Sequence, residues 1–242
     1  VLVITVQGFR DGWQVFWDSL TYKAALNAIW LTVWTAGIMT VINSFMGTLT
    51  AYALVKYKFY GKEFLNSLVD LPFAIPTLVT GVMLVLLYGP QTAVGGFFQK
   101  QLGFKLIFAP PGIVLALLFV GYPFVIRAVQ PVLLALESSQ QEAAQTLGAS
   151  GWYTFRRVIF PAIRPAVITG GLLSFARALG EFGAIIVVAG NIPMKTQVAT
   201  VYVYGQVESG NMQAASSVSV VLLFVAFAIT LTVDVVESRR HE

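Results

Sequence analysis

The residues able to do chemistry in this chain are few, and their types decide much by exclusion. Among its 242 residues there is no cysteine and one histidine, His241, so a thiolate nucleophile, a disulfide, a zinc–thiolate centre, a Ser–His pair and a histidine metal site all lack their residues. No catalytic group and no metal site is therefore expected. No G-x-x-x-x-G-K-S/T stretch occurs, so a nucleotide-phosphate loop of that kind is absent as well. What remains are charged side chains in apolar surroundings: Asp70, Arg127, and the pair Arg177 and Glu181. The pair has i,i+4 spacing, which puts both on one helix face, and each would cost about 2.5–3.5 kcal/mol facing lipid at mid-membrane. Both must face protein or water. Asp70 lies near Pro72 and Pro76 and reads as a cap for backbone donors at an irregular helix start, while Arg127 reads as snorkelling to the inner interface.

The elements that carry these charges are membrane spans. The chain is 57% hydrophobic and 11% charged, against about 25% charged in ordinary globular proteins, with a mean hydropathy of +0.78. Uncharged or nearly uncharged runs predict spans at Ala24 to Val55, Leu65 to Tyr88, Gly112 to about Glu137, Pro165 to Ala189, and Met212 to Val233. The second should be irregular until Pro76 and the third kinked at Pro123. Val1 to Val6 is apolar and no initiator methionine precedes it, so the chain is expected to begin inside a helix, with Trp13, Phe16, Trp17 and Tyr22 at the headgroup level; a soluble tail is the alternative. The expected fold is an all-α integral membrane protein with five complete transmembrane helices plus the remnant of an N-terminal one. Residues 1–23 form the end of that helix and an interfacial segment, 24–236 the transmembrane domain, and 237–242 a tail.

The net charge of +4 does not indicate nucleic acid, because the basic residues are spread through short loops and form no patch. Lys56, Lys58, Lys62, Arg156, Arg157, Arg164, Arg239 and Arg240 fall in one set of alternate loops, against Arg10, Lys23, Lys100, Lys105 and Lys195 in the other. The richer set is expected on the cytoplasmic side, and with it the C-terminus.

The longest loop of that set, residues 137–165, is patterned. Ser139 and Glu142 make a capping box that opens a short helix through Ala143, Ala144 and Leu147; Gly148 is a left-handed stop, and Ser150 caps a second helix, Trp152 to Ile159, expected to end before Pro161. Glu142-Ala143-Ala144, then Gly148, then Val158-Ile159-Phe160-Pro161 resembles the cytoplasmic loop motif of ABC importer permeases, with Val158 and Phe160 as apolar departures. The resemblance covers about Ala24 to Val236 and includes Asp70 to Thr77, Gly121 to Arg127 with Gln130 to Leu133, Phe175 to Gly183, and Gly190 to Pro193, segments that look like the sulfate/thiosulfate and the molybdate/tungstate permeases. The third-span segment and the extended outer loop from Gly89 to Lys105 look more like the sulfate type.

That resemblance implies a type I ABC importer permease fold in the bacterial inner membrane and import of sulfate or thiosulfate by alternating access. It implies coupling through Glu142, Ala143, Ala144, Leu147, Gly148 and Pro161 to two separate ATP-binding subunits, which would bind the ATP and magnesium; this chain needs no cofactor. The other implied partners are a sister permease in a heterodimer, a periplasmic sulfate-binding protein and membrane lipid. Under it Arg177 and Glu181 have two readings: a structural pair that locks helices, or an arginine lining the anion's path and held by a glutamate flanked by Gly180 and Gly183. Molybdate or tungstate is the alternative cargo. An ion-coupled secondary anion transporter is the alternative of another class, which calls for inverted repeats or several buried acids; no such repeat is visible.

Overall fold

A computed structural model describes residues 1–136 and 148–238, with side chains as far as 235. All its elements are helical: α1 (Leu2–Phe9), α2 (Trp13–Thr21), α3 (Lys23–Lys56), α4 (Lys62–Val69), α5 (Leu71–Ala74), α6 (Thr77–Tyr88), α7 (Ala93–Gln101), α8 (Pro110–Ala135), α9 (Gly151–Leu179), α10 (Gly183–Ala189), α11 (Ala199–Glu208) and α12 (Met212–Ser238). Four of these, α3, α8, α9 and α12, are long and apolar enough to cross a membrane, and α6 with α7 makes a fifth candidate bent by 60°. At about 1.5 Å per residue the 34-residue α3 is about 51 Å long, well beyond a hydrocarbon core about 30 Å thick, so it tilts or overhangs.

Helices α3, α8 and α9 form the centre. Two apolar clusters tie them, one around Met39, Ile113, Leu117 and Ala178, the other around Leu54, Val125, Ile126, Val129 and Ile163. Between the clusters the backbones approach closely over small residues: a methyl at Gly170 would lie 2.8 Å from Val125 Cα, and one at Gly121 3.0 Å from Asn43 Nδ2. Two polar side chains there are satisfied by backbone carbonyls where water is scarce. Ser174 Oγ donates to the Gly121 carbonyl at 3.1 Å, and Asn43 Nδ2 to the Leu118 carbonyl at 3.2 Å. Helices α1 and α2 lie against α12, with Gln213 Nε2 donating to the Gly8 carbonyl at 2.6 Å and a stacked series running Phe9, Trp13, Trp17. Of the four aromatics expected at the headgroup level, Trp13, Trp17 and Tyr22 are exposed, whereas Phe16 is buried against Leu20, Tyr202 and Val218.

Three expectations are corrected. The span from Leu65 to Tyr88 is three helices, and α6, straight after Pro76 as expected, has only 12 residues, about 18 Å at about 1.5 Å per residue, so it needs α7 to complete a crossing. The span from Pro165 to Ala189 is broken: α9 ends at Leu179 and α10 restarts at Gly183. The helix after Ser150 does not end before Pro161 but runs on to Leu179 through a five-residue π segment, Phe155–Ile159. A proline offers no N–H and its ring presses on the carbonyl four residues earlier. The wider turn meets that demand, because the Phe160 N–H reaches back to the Phe155 carbonyl just ahead of Pro161.

Candidate functional site

The break in the fourth span is built around Glu181. Its side chain is 1% exposed; Oε1 accepts from the Ala184 N–H at 2.9 Å, satisfying a donor at the start of α10, and Oε2 pairs with Arg177 Nη2 at 2.9 Å. Its own carbonyl accepts from Thr200 Oγ1 at 2.7 Å, and Thr32 Oγ1 accepts from the Ala199 N–H at 2.8 Å, so the first residues of α11 are tied to both the break and α3. Helix α10 is pressed on α6: a methyl at Gly183 would overlap Thr77 Oγ1, and one at Gly81 would lie 2.8 Å from the Ala184 carbonyl oxygen. Arg177 and Glu181 thus meet as their spacing predicts, but across the end of α9 and not along one helix face. Glu181 is an anchor of three elements. Arg177 is different, being 36% exposed and bonded through Nη2 alone among the described residues, although a guanidinium carries five N–H donors.

A second charged cluster joins α4 and the α4–α5 junction to α8. Arg127 Nε and Nη2 donate to Asp70 Oδ1 and Oδ2 at 2.7 and 2.6 Å, Nη1 donates to Asn66 Oδ1 at 3.0 Å and Gln130 Oε1 at 2.6 Å, and Nη2 also reaches the Asn66 carbonyl at 2.8 Å. Gln130 Nε2 closes the ring onto Asn66 Oδ1 at 3.1 Å. Those bonds use all five N–H donors of the guanidinium. Asp70 therefore makes no cap and Arg127 does not snorkel; they hold each other in a bidentate pair, Arg127 32% and Asp70 50% exposed. Sequence reasoning missed Asn66 and Gln130. Their signal was spacing, since Asn66 and Asp70 are i,i+4 and Arg127 and Gln130 are i,i+3.

Of the residues expected to couple, Glu142, Ala143, Ala144 and Leu147, with Ser139 expected to cap, lie outside the described residues. Gly148 has φ +82°, the left-handed conformation expected of it as a stop, and a side chain there would be strained. Ser150 Oγ accepts from the Tyr153 N–H at 3.3 Å and opens α9, with Pro161 beyond the π segment in the same continuous helix. Rigid helix therefore connects Ser150 to the Arg177–Glu181 break. A cavity of about 630 Å³ between α3, the α4–α6 segment and α8 is lined mainly by apolar side chains such as Met46, Leu68, Leu84 and Phe119, with no charged group, and is poorly suited to an anion.

Residues 43–241 match the family of binding-protein-dependent transport system inner membrane components. The chain is 43% identical over 226 residues, 93% of its length and 85% of the relative's, to the probable sulfate transport system permease protein cysT of Chlorella vulgaris. It is 39% identical over 239 residues, 98% of its length and 85% of the relative's, to the sulfate transport system permease protein CysT of Salmonella typhimurium. Its fold matches a chain of a bacterial ABC transporter involved in the import of the acidic polysaccharide alginate, with a TM-score of 0.79 at 18% identity over 98% of this chain and 88% of that one.

Proposed function

The chain belongs to the family of binding-protein-dependent transport system inner membrane components, and from that premise we propose that it is the permease subunit of an ATP-driven importer of sulfate and thiosulfate. Its work is transport, with no chemistry of its own. The observation that carries this reading is the identity, along nearly the whole chain, to permeases named for sulfate transport. It sits in the bacterial inner membrane with its C-terminus cytoplasmic, pairs with a sister permease, and receives sulfate from a periplasmic binding protein. Two ATP-binding subunits hold the ATP and magnesium and grip the 137–165 loop at Glu142, Ala143, Ala144, Leu147, Gly148 and Pro161. Closure of those subunits moves the loop, and α9, which begins in it, carries the movement toward Arg177 and Glu181. The charge arrangement supports a path role for Arg177 and a positioning role for Glu181, because the glutamate is fixed and the arginine has donors without a partner among the described residues.

Reconstitution tests the reading. With sister permease, ATPase, binding protein and ATP in proteoliposomes, labelled sulfate should accumulate and unlabelled thiosulfate should compete. Molybdate or tungstate outcompeting sulfate at equal concentration would move the assignment to the molybdate type, and accumulation driven by an ion gradient without the ATPase would replace the importer reading altogether.

A further inference from the structure

Arg127 and Asp70 are charged, lie within or beside membrane-spanning helices, and are nevertheless a third and a half exposed. Arg127 stands eight residues before Ala135, the end of α8, so at about 1.5 Å per residue it is about 12 Å inside that end. Charges at such depth do not face hydrocarbon; an open side must meet water or protein. The cluster is also built from one firm and one loose partner. Arg127 and Gln130 belong to the 26-residue α8 of the central bundle, while Asp70 sits at the joint between α4 and a four-residue α5 that ends before Pro76. The Asp70 carboxylate occupies the fork of the guanidinium in the bidentate manner that a tetrahedral oxyanion would also adopt.

We propose that the Arg127 fork is an oxyanion subsite of the transport path, held in this conformation by the Asp70 carboxylate as an internal stand-in for the travelling dianion. The subsite rests on the importer reading and adds a residue to it. When the α4–α5 joint swings away from α8, Asp70 leaves and an oxyanion takes its place on Nε and Nη2, while Asn66 or Gln130 keeps Nη1 oriented. Exchange of one anion for another never strands the guanidinium without a partner, and the returning carboxylate displaces the oxyanion onward. Such a site binds weakly by construction, which import requires, because a path that held its cargo tightly could not release it.

The test is binding of labelled sulfate to the complex of this chain with its sister permease and ATPase, without nucleotide, in phosphatidylcholine nanodiscs. Asp70→Asn removes the competing charge and should tighten binding by about tenfold or more over the unsubstituted complex, a change lost again in the Asp70→Asn, Arg127→Gln double variant. No tightening, or tightening that persists in the double variant, overturns the proposal. Displacement of the bound sulfate by replacing part of the lipid with phosphatidylglycerol would assign the fork to a lipid headgroup and overturn it too. Should Asp70→Asn fail to assemble, Arg127→Lys carries the test, with uptake down about tenfold while assembly and basal ATP hydrolysis hold. Unchanged uptake, or loss of assembly in both variants, would leave only a structural cluster and overturns the subsite. Failure of the importer reading is separate: it would show as no sulfate uptake by the unsubstituted complex.

Discussion

Arg127 and Arg177 are both set in apolar helices beside an acid, and the two clusters are wired in opposite senses. Around Arg127 every guanidinium donor is used, by four acceptor groups drawn from two separate helical segments, and the acid is half exposed. Around Arg177 the acid is sealed and doubly bonded while the arginine leans outward with one nitrogen engaged. In the first cluster the base is fixed by its own helix and the acid can leave. In the second the acid cannot leave without freeing the start of α10, so the arginine is the adaptable partner. Charge inside a span is thus used in two ways, as a closed ring that joins segments and as an anchored acid that presents a base.

The largest expected effect comes from breaking the sealed side. Glu181→Ala leaves the Ala184 N–H unsatisfied, at about 1–3 kcal/mol, and takes the partner from Arg177, which is partly open to solvent and adds up to about 1 kcal/mol. The assembled complex should be recovered poorly and lose several degrees of thermal midpoint in a detergent melt, whereas Glu181→Gln, which keeps an acceptor for Ala184, should recover part of the loss. Equal damage from both would mean that the charge, and not the cap, holds the break together.

Next in size is Arg127→Lys. An ammonium is a point charge with three donors and cannot reproduce a planar fork, so at least two of the charge-assisted bonds go, a loss of about 2 kcal/mol after allowance for the pair's exposure. The same melt should register it. A midpoint unchanged by this substitution would erase the contrast drawn above, since the ring would then be no tighter than the single contact at Arg177.

How far these clusters could be read from the sequence follows from how each is held. Helices α3 and α12 lie where uncharged runs put them, and α8 where a run interrupted by Arg127 alone puts it, because a long apolar run with a boundary on each side has few alternatives. The break after Leu179 was not legible. Gly180 and Gly183 marked close approach, but the reason the chain stops is tertiary: Thr200 on the Glu181 carbonyl, and Thr77 beneath Gly183. Asp70 and Arg127 were each visible as oddities, and their partnership was not, since nothing local to either residue announces a contact 57 positions away. Pro161 misled because a proline after a capped short helix reads as its end; the π segment ahead of it lets the helix continue. The turn at Gly148 and the cap at Ser150 were legible because both are local.

Gly148→Ala is expected to act with a smaller energetic cost and a particular phenotype. A side chain at φ +82° costs about 1–2 kcal/mol, and no neighbour among the described residues lies close enough to add a clash, so the fold should persist. The strain falls beside the start of α9, at the opposite end of that helix from Arg177. ATP hydrolysis by the assembled complex should therefore continue while sulfate uptake drops, a separation that Glu181→Ala should not show. Parallel loss of both activities would place Gly148 with the folding residues.

Arg177→Lys should be the mildest change to the fold, and for that reason the sharpest test of the comparison. One nitrogen of Arg177 meets Glu181, and an ammonium at a similar position can keep that single pairing, so the thermal midpoint should move by less than about 1 kcal/mol equivalent. What the substitution removes is the unengaged part of the fork. If those donors meet the passing anion, uptake falls several-fold with assembly and ATP hydrolysis intact. Loss of assembly on Arg177→Lys would instead make the arginine a structural partner of the sister subunit, and the two clusters would then differ in how many bonds they make but not in what they are for.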